Sequence, residues 1–120
     1  MKVVKSFAGL VLAGTLMFSV SGCSSTKVDA ATATAIIDVR TPAEYAAGHL
    51  ERAINIDVEG ATFNEQVSAL DKAGTYFLYC HSGRRAGIAT DQMKSMGFAN
   101  VTNLGGMEDA AAATSLPIVR

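Results

Sequence analysis

Cysteine is scarce in this sequence, and the scarcity limits what the chain can be. Only Cys23 and Cys80 occur, so there is no set of closely spaced pairs from which a disulfide framework could be built. Positive charge is not in surplus either. Ten Lys and Arg stand against eleven Asp and Glu, a net charge of −1, which argues against a nucleic-acid partner. Metal-ligand spacing is missing: Cys80 and His81 adjoin, and His49 lies far away. A structural zinc site needs ligands paired at short intervals. No internal repeat is present. The longest apolar run, Ser6 to Val20, falls short of the roughly 20 residues that a membrane-crossing helix needs.

That run has a different meaning. Lys2 and Lys5 precede it, and Val20-Ser21-Gly22-Cys23 closes it with small residues. A basic start, an apolar centre and a small-residue end make an export signal. The last four residues resemble the bacterial lipoprotein box, which implies a signal peptide over 1–22 and acylation of Cys23. Ordinary cleavage, leaving a free N-terminal segment, is the alternative. Several acyl chains anchor a protein stably where a single one does not. The expectation is an exported, periplasmic lipoprotein held to a membrane. Ser24 stands where an Asp would direct inner-membrane retention, so the outer membrane is favoured in a Gram-negative host. Residues 23–34 are rich in Ser, Thr and Ala and read as a tether. The stretch that follows, 35–120, is long enough for one compact domain. With Cys23 acylated, Cys80 is a lone thiol: either a small buried hydrophobe or a reactive group.

Strand-like and helix-like segments alternate along the rest of the chain. Ala35 to Val39 is a short apolar run with β-branched residues, as in a strand buried on both faces. Thr41-Pro42-Ala43-Glu44 predicts a helix start, with a capping threonine, a proline at the first turn and a glutamate that reaches back. Gly48 ends that helix, and Ala53 to Ile56 reads as a second strand. Thr62 and Glu65 suggest another capping box, above an apolar face of Phe63, Val67 and Leu70 that stops at Gly74. Tyr76 to Tyr79 is a strand, and Ala86 to Met96 a helix stopped by Gly97. Met93 and Met96 fit core packing on that helix. Val101 to Leu104 gives a fourth strand, and Gly105-Gly106 breaks the chain before a final helical stretch. The pattern predicts an α/β fold with an open, mostly parallel sheet of 4–5 strands flanked by helices. Such sheets bind ligands beyond the carboxyl ends of their strands. Asp38 to Thr41 and Cys80 to Arg85 fall there.

Cys80-His81-Ser82-Gly83-Arg84-Arg85 joins the clearest strand to a helix. A tight loop can turn its N–H groups onto one point and form a nest for an anion. The following helix aims the positive end of its dipole at the same point, and Arg84 and Arg85 add two permanent charges. Each of these favours thiolate over thiol. Gly83 supplies the backbone freedom of a tight turn. His81 could polarise the thiol, bind substrate, or be an exposed loop histidine with no role.

These residues resemble a known family. Cys80-x-x-Gly83-x-Arg85 is similar to the active-site loop of rhodaneses. Ile37 to Tyr45 resembles their Asp-x-Arg and Glu-Tyr segment, carried here by Asp38, Arg40, Glu44 and Tyr45. Gly48-His49-Leu50 with Ala53-Ile54-Asn55-Ile56 resembles their next landmark, and Gly97-Phe98 and Leu104-Gly105-Gly106-Met107 the later ones. The resemblance runs from Ala35 to Met107 and is greatest to small periplasmic single-domain rhodaneses of the phage-shock-protein E type. It implies that Cys80 takes the outer sulfur of thiosulfate, holds it as a persulfide, and passes it to cyanide or a thiol. No separate cofactor or metal is implied. The amides of His81, Ser82, Gly83, Arg84 and Arg85 would bind the persulfide and the departing sulfite. Asp38, Arg40 and Glu44 would brace the loop and the first helix. Three departures stand out: Arg52 replaces a usual Gly, Ala110 a frequent Trp, and the tether the usual segment before the first strand.

Two other functions compete. Phosphatases and arsenate reductases of related fold resemble Cys-x5-Arg, one residue longer. Here Ala86 fills that place and Arg85 closes the shorter loop. A non-catalytic sulfur carrier or envelope-stress interaction module is the other alternative.

Overall fold

The computed structural model describes residues 27–120. The signal segment, Cys23 and Ser24 lie outside the described residues. Six strands and four helices follow in chain order: β1 (Ala35–Asp38), α1 (Pro42–Ala47), β2 (His49–Leu50), β3 (Ala53–Asn55), α2 (Phe63–Ser68), β4 (Thr75–Cys80), α3 (Arg84–Ser95), β5 (Asn100–Gly106), α4 (Met107–Thr114) and β6 (Ile118–Val119). Four of the strands form one sheet in the order β3-β1-β4-β5, with every pairing parallel. The α/β architecture expected from the sequence is therefore present.

Period-two burial along the strands divides the core between the two faces of the sheet. Ile37, Tyr76, Leu78 and Cys80 point to one side and pack with Phe63, Val67, Ala86, Ala89 and Met93 from α2 and α3. Ile36, Phe77 and Tyr79 point to the other and meet Leu50, Ala53, Ala110 and, at the margin, Tyr45 and Met107. Covering both faces explains why β4 is apolar without alternation. Its burial runs unbroken from Tyr76 to Cys80. Met93 is fully buried and Met96 partly so, which gives both methionines packing roles.

Several local details differ from the sequence reading. The capping box at α1 forms as expected: Thr41 Oγ1 accepts from Glu44 N, and Glu44 Oε1 accepts from Thr41 N. The one expected at Thr62 does not. Thr62 sits at φ −107°, ψ 14°, outside the extended conformation that lets a cap side chain reach its helix. Its hydroxyl accepts from Gln66 Nε2 instead. α3 begins at Arg84, two residues earlier than expected, because Gly83 adopts a left-handed conformation and serves as the N-cap. A short antiparallel ribbon of β2 and β6 is additional to the expected sheet.

The tether boundary also needs correction. A 3-10 turn covers Ala30–Thr32, capped by the Asp29 side chain. Ala30 is buried, with Val28 and Ala33 packed against the same apolar cluster. Val28 N donates to Ala113 O, and Lys27 Nζ to Ala112 O. Among the described residues, packed structure is thus present by Val28, well before Ala35. The Ser/Thr/Ala composition hid the apolar contacts of Val28, Ala30 and Ala33.

Candidate active site

Cys80 ends β4 at the centre of the sheet. Because Cys80 shares a strand face with Tyr76 and Leu78, its side chain enters the α2/α3 side, beneath the start of α3. The residue is almost wholly buried. Gly83 N donates to Cys80 Sγ at 2.9 Å. Gly83 has φ 102°, a conformation that costs a side chain dearly and glycine little. A left-handed residue followed by helical residues turns successive N–H groups to one side, as in an anion nest. α3 runs from Arg84 to Ser95, so its first turn presents free N–H groups there.

Two glycines of the β5–α4 junction underlie the loop. A side chain at Gly106 would collide with His81 O, and one at Gly83 would press on Gly105 Cα at 3.2 Å. The pairing of β4 with β5 is irregular between Leu78 and Cys80, and Cys80 lies opposite Gly106. Asn103 joins the same two segments. Its Nδ2 donates to Gly83 O at 3.1 Å, and its Oδ1 accepts from Gly105 N at 2.8 Å. Asn103 was not singled out from sequence, since an asparagine on an edge strand reads as ordinary surface.

The remaining expected residues separate into two groups. His81, Ser82 and Arg84 are exposed around the loop, with Arg84 opening α3. Arg85 is turned to a carboxylate: Nη1 and Nη2 donate to Glu44 Oε1 and Oε2 at 2.9 and 3.1 Å. Glu44 Oε1 also accepts from Thr41 N and Thr41 Oγ1. Arg85 thereby fastens α3 to α1 through Glu44, which was expected to brace this region. The hydrogen bonds from Arg85 hold the Glu44 carboxyl down at about 2. In return Glu44 raises the Arg85 pKa, and the nearby Cys80 sulfur adds a smaller push in the same direction.

Asp38 and Arg40 form a buried bracket after β1. Arg40 Nε lies 2.9 Å and Nη2 2.6 Å from the Asp38 carboxylate, while Nη2 also donates to Gly48 O at 2.6 Å. The hydrogen bond to Asp38 is the main cause of a raised Arg40 pKa. Asn55 Nδ2 donates to the carbonyls of both Asp38 and Arg40. Tyr79 lies under the guanidinium, 5.7 Å from ring centre to Cζ, and its hydroxyl accepts from Leu50 N. Burial raises the Tyr79 pKa. His49 stacks on Tyr45 at 3.7 Å and bonds Tyr45 O through Nδ1, so it belongs to the α1–β2 turn. Among the described residues no group of His, Cys, Asp and Glu could hold a metal ion. The open cleft lined by Asn64, Asp91, Gln92, Ser95 and Met96 contains no residue of the Cys80 loop.

A buried cysteine thus ends a central parallel strand of an α/β sheet, under a left-handed glycine and a helix N-terminus. The chain belongs to the rhodanese-like domain family, which matches residues 25–113. It is 37% identical over 75 residues to the thiosulfate sulfurtransferase PspE of Escherichia coli, covering 62% of this chain and 72% of that protein. A sulfurtransferase of Allochromatium vinosum is 33% identical, with 70% and 77% of the two chains covered. Other curated relatives are longer, and the match takes in half or less of their length. Among solved structures, a rhodanese with anions from E. coli aligns with a TM-score of 0.60 at 34% identity, covering 72% of this chain and 96% of that one.

Proposed function

We propose that this protein is a thiosulfate sulfurtransferase that carries sulfane sulfur on Cys80. The observation that carries this reading is the Gly83 N–H aimed at Cys80 Sγ at 2.9 Å. It is a preset donor where negative charge must be held before and after transfer. The Cys80 thiolate attacks the outer sulfur of thiosulfate, forming a new S–S bond. The bond to the sulfonyl sulfur breaks, and sulfite leaves with the electron pair. The persulfide then carries its charge on the outer sulfur, within reach of the loop amides of His81 to Arg85. Cyanide or a thiolate acceptor attacks that outer sulfur, takes it away and regenerates the Cys80 thiolate. The cycle needs no metal or redox cofactor, because the electron pairs balance within the two displacements.

Arg84 supplies exposed positive charge at the mouth for an anionic donor. Arg85, Glu44, Asp38 and Arg40 hold the loop against α1 and β1. The shorter Cys-x4-Arg loop, with its arginine taken up by Glu44, speaks against the phosphatase reading. The enzyme works outside the cytoplasm, anchored through an acylated Cys23. The leader pattern supports this location, and among the described residues no helix is long and apolar enough to cross a membrane.

The deciding experiment is the intact mass of the purified domain before and after thiosulfate. A gain of one sulfur atom, lost again on adding cyanide and absent in Cys80→Ser, is the expected result. An unchanged mass in the wild type, or thiosulfate:cyanide turnover by Cys80→Ser, overturns the reading. For the anchor, Cys23→Ala should leave an unprocessed precursor without acyl label. Normal processing and release of that variant would make the leader an ordinary secretory one.

A further inference from the structure

We propose that Asn103, on the strand beside Cys80, is a positioning residue for sulfur transfer: its side-chain amide clamps Gly83 to Gly105 and holds the loop N–H groups on the sulfur. The inference rests on the Cys80 reading above and adds a residue outside the Cys80–Arg85 loop. Gly83 is the residue whose amide reaches Sγ, and glycine by itself holds no conformation firmly. Something must keep it at φ 102°. Its carbonyl accepts from Gly87 N, the first helical bond of α3, at 2.9 Å, and from Asn103 Nδ2 at 3.1 Å. The trans peptide between Gly83 and Arg84 is planar, with its C=O and N–H pointing in opposite directions. Drawing Gly83 O toward β5 therefore turns Arg84 N–H away from β5, so the clamp fixes the direction of a second amide of the nest.

The other half of the clamp supports the first. Asn103 Oδ1 accepts from Gly105 N at 2.8 Å. Gly105 has φ 94° and is the residue whose Cα lies against Gly83. A donor and an acceptor are both needed, one for each backbone segment, at the reach of a short side chain. Among side chains of that length only asparagine presents both on one rigid plane. Aspartate has the same shape and keeps the Gly105 bond, but sets a carboxylate oxygen against Gly83 O. Asn103 is exposed and sits on an edge strand, so its loss should cost the core little.

Asn103→Asp and Asn103→Ala are compared with wild type and with Thr102→Ala, an exposed neighbour on the same strand. Two quantities are read: thiosulfate turnover, and the rate of Cys80 alkylation by iodoacetamide against pH. In both Asn103 variants kcat should fall by about tenfold or more, since misaligned donors lose much of their hold on developing charge. The alkylation midpoint should move to higher pH, while the thermal midpoint stays close to wild type. Thr102→Ala should match wild type throughout. Folded Asn103 variants with wild-type turnover and alkylation profile would overturn the proposal. So would a fall in activity that tracks only a fall in thermal midpoint. Should Asn103→Asp fail to fold, Asn103→Ser gives the same decision, because its short hydroxyl cannot span both partners. Alkylation needs no thiosulfate, so a wild type that takes up no sulfur would sink the proposed function and leave the test of Asn103 intact.

Discussion

Two arginine–carboxylate pairs brace the carboxyl end of the sheet, where Cys80 lies, and burial divides them. Arg40 and Asp38 are almost completely enclosed, with side chains 5% and 0% exposed, whereas Arg85 and Glu44 keep 16% and 35%. The first pair is also wrapped in backbone: Arg40 reaches Gly48 O, and Asn55 ties the carbonyls on either side. The second spans two helices and lies near the Cys80 sulfur. A buried pair costs much to break because the survivor is left charged and dry. A half-exposed pair costs little, because water replaces the lost partner. The same chemistry is therefore expected to fix the fold in one place and to adjust the Cys80 loop in the other.

Breaking the buried pair should have the largest effect. Arg40→Met strands the Asp38 carboxylate and should cost about 3–5 kcal/mol, measured by urea denaturation. The double variant Asp38→Asn/Arg40→Met should recover part of that loss. A single variant as stable as wild type would mean that the bracket is not structural.

Arg85→Met should do the reverse. Its stability should fall by no more than about 1 kcal/mol, while thiosulfate turnover falls clearly below that of Lys72→Met. Lys72 lies over the Phe98 ring, outside the Cys80–Arg85 loop. Equal turnover in the two variants would reduce Arg85 to surface charge.

Acid sharpens the contrast further. Glu44 is held at about 2 against an ordinary value of 4.5. A carboxyl depressed on folding stabilises the native state fully above its ordinary range, and the contribution is lost as pH falls through the folded value. The stability difference between wild type and Glu44→Gln should be full near neutrality and should shrink from about pH 4.5 down to about 2. Thermal midpoints across that range would measure it. A difference that is constant with pH would show that Glu44 acts without its charge.

A third arginine should give the smallest change. Arg52 stands where the resemblance leads one to expect Gly, and its φ is 78°, the left-handed region in which glycine is relaxed. Its guanidinium donates to Ala30 O at 3.1 Å. Arg52→Gly should relieve about 1 kcal/mol of backbone cost and lose one hydrogen bond of about 1 kcal/mol. Net stability should barely move. Proteolysis ahead of Ala35 should quicken, because the 3-10 turn loses a fastening. A large stability change in either direction would contradict this balance.

Parts of the molecule were legible from the chain because their causes are local. The Thr41–Glu44 cap forms within four consecutive residues, and the unbroken apolar run of β4 betrays a strand covered on both faces. Cys80 stood out because strand, glycine and arginines adjoin in sequence. The cap at Thr62 failed although its spacing is the same, because the preceding turn leaves Thr62 in the wrong backbone conformation. Val28 and Ala30 looked like tether because too few apolar residues occur there to form a pattern.

By itself, the sequence determined the order of the four sheet strands and the four helices, and the place of Cys80 and of the glycine three residues on, since each follows from neighbours a few residues apart. The tertiary structure decided the partners. Arg85 meets Glu44 across 41 positions, and Asn103 meets Gly83 across 20. Neither contact has a spacing rule. Both depend on the sheet order β3-β1-β4-β5, which sets α1 near the start of α3 and lays β5 beside the Cys80 strand.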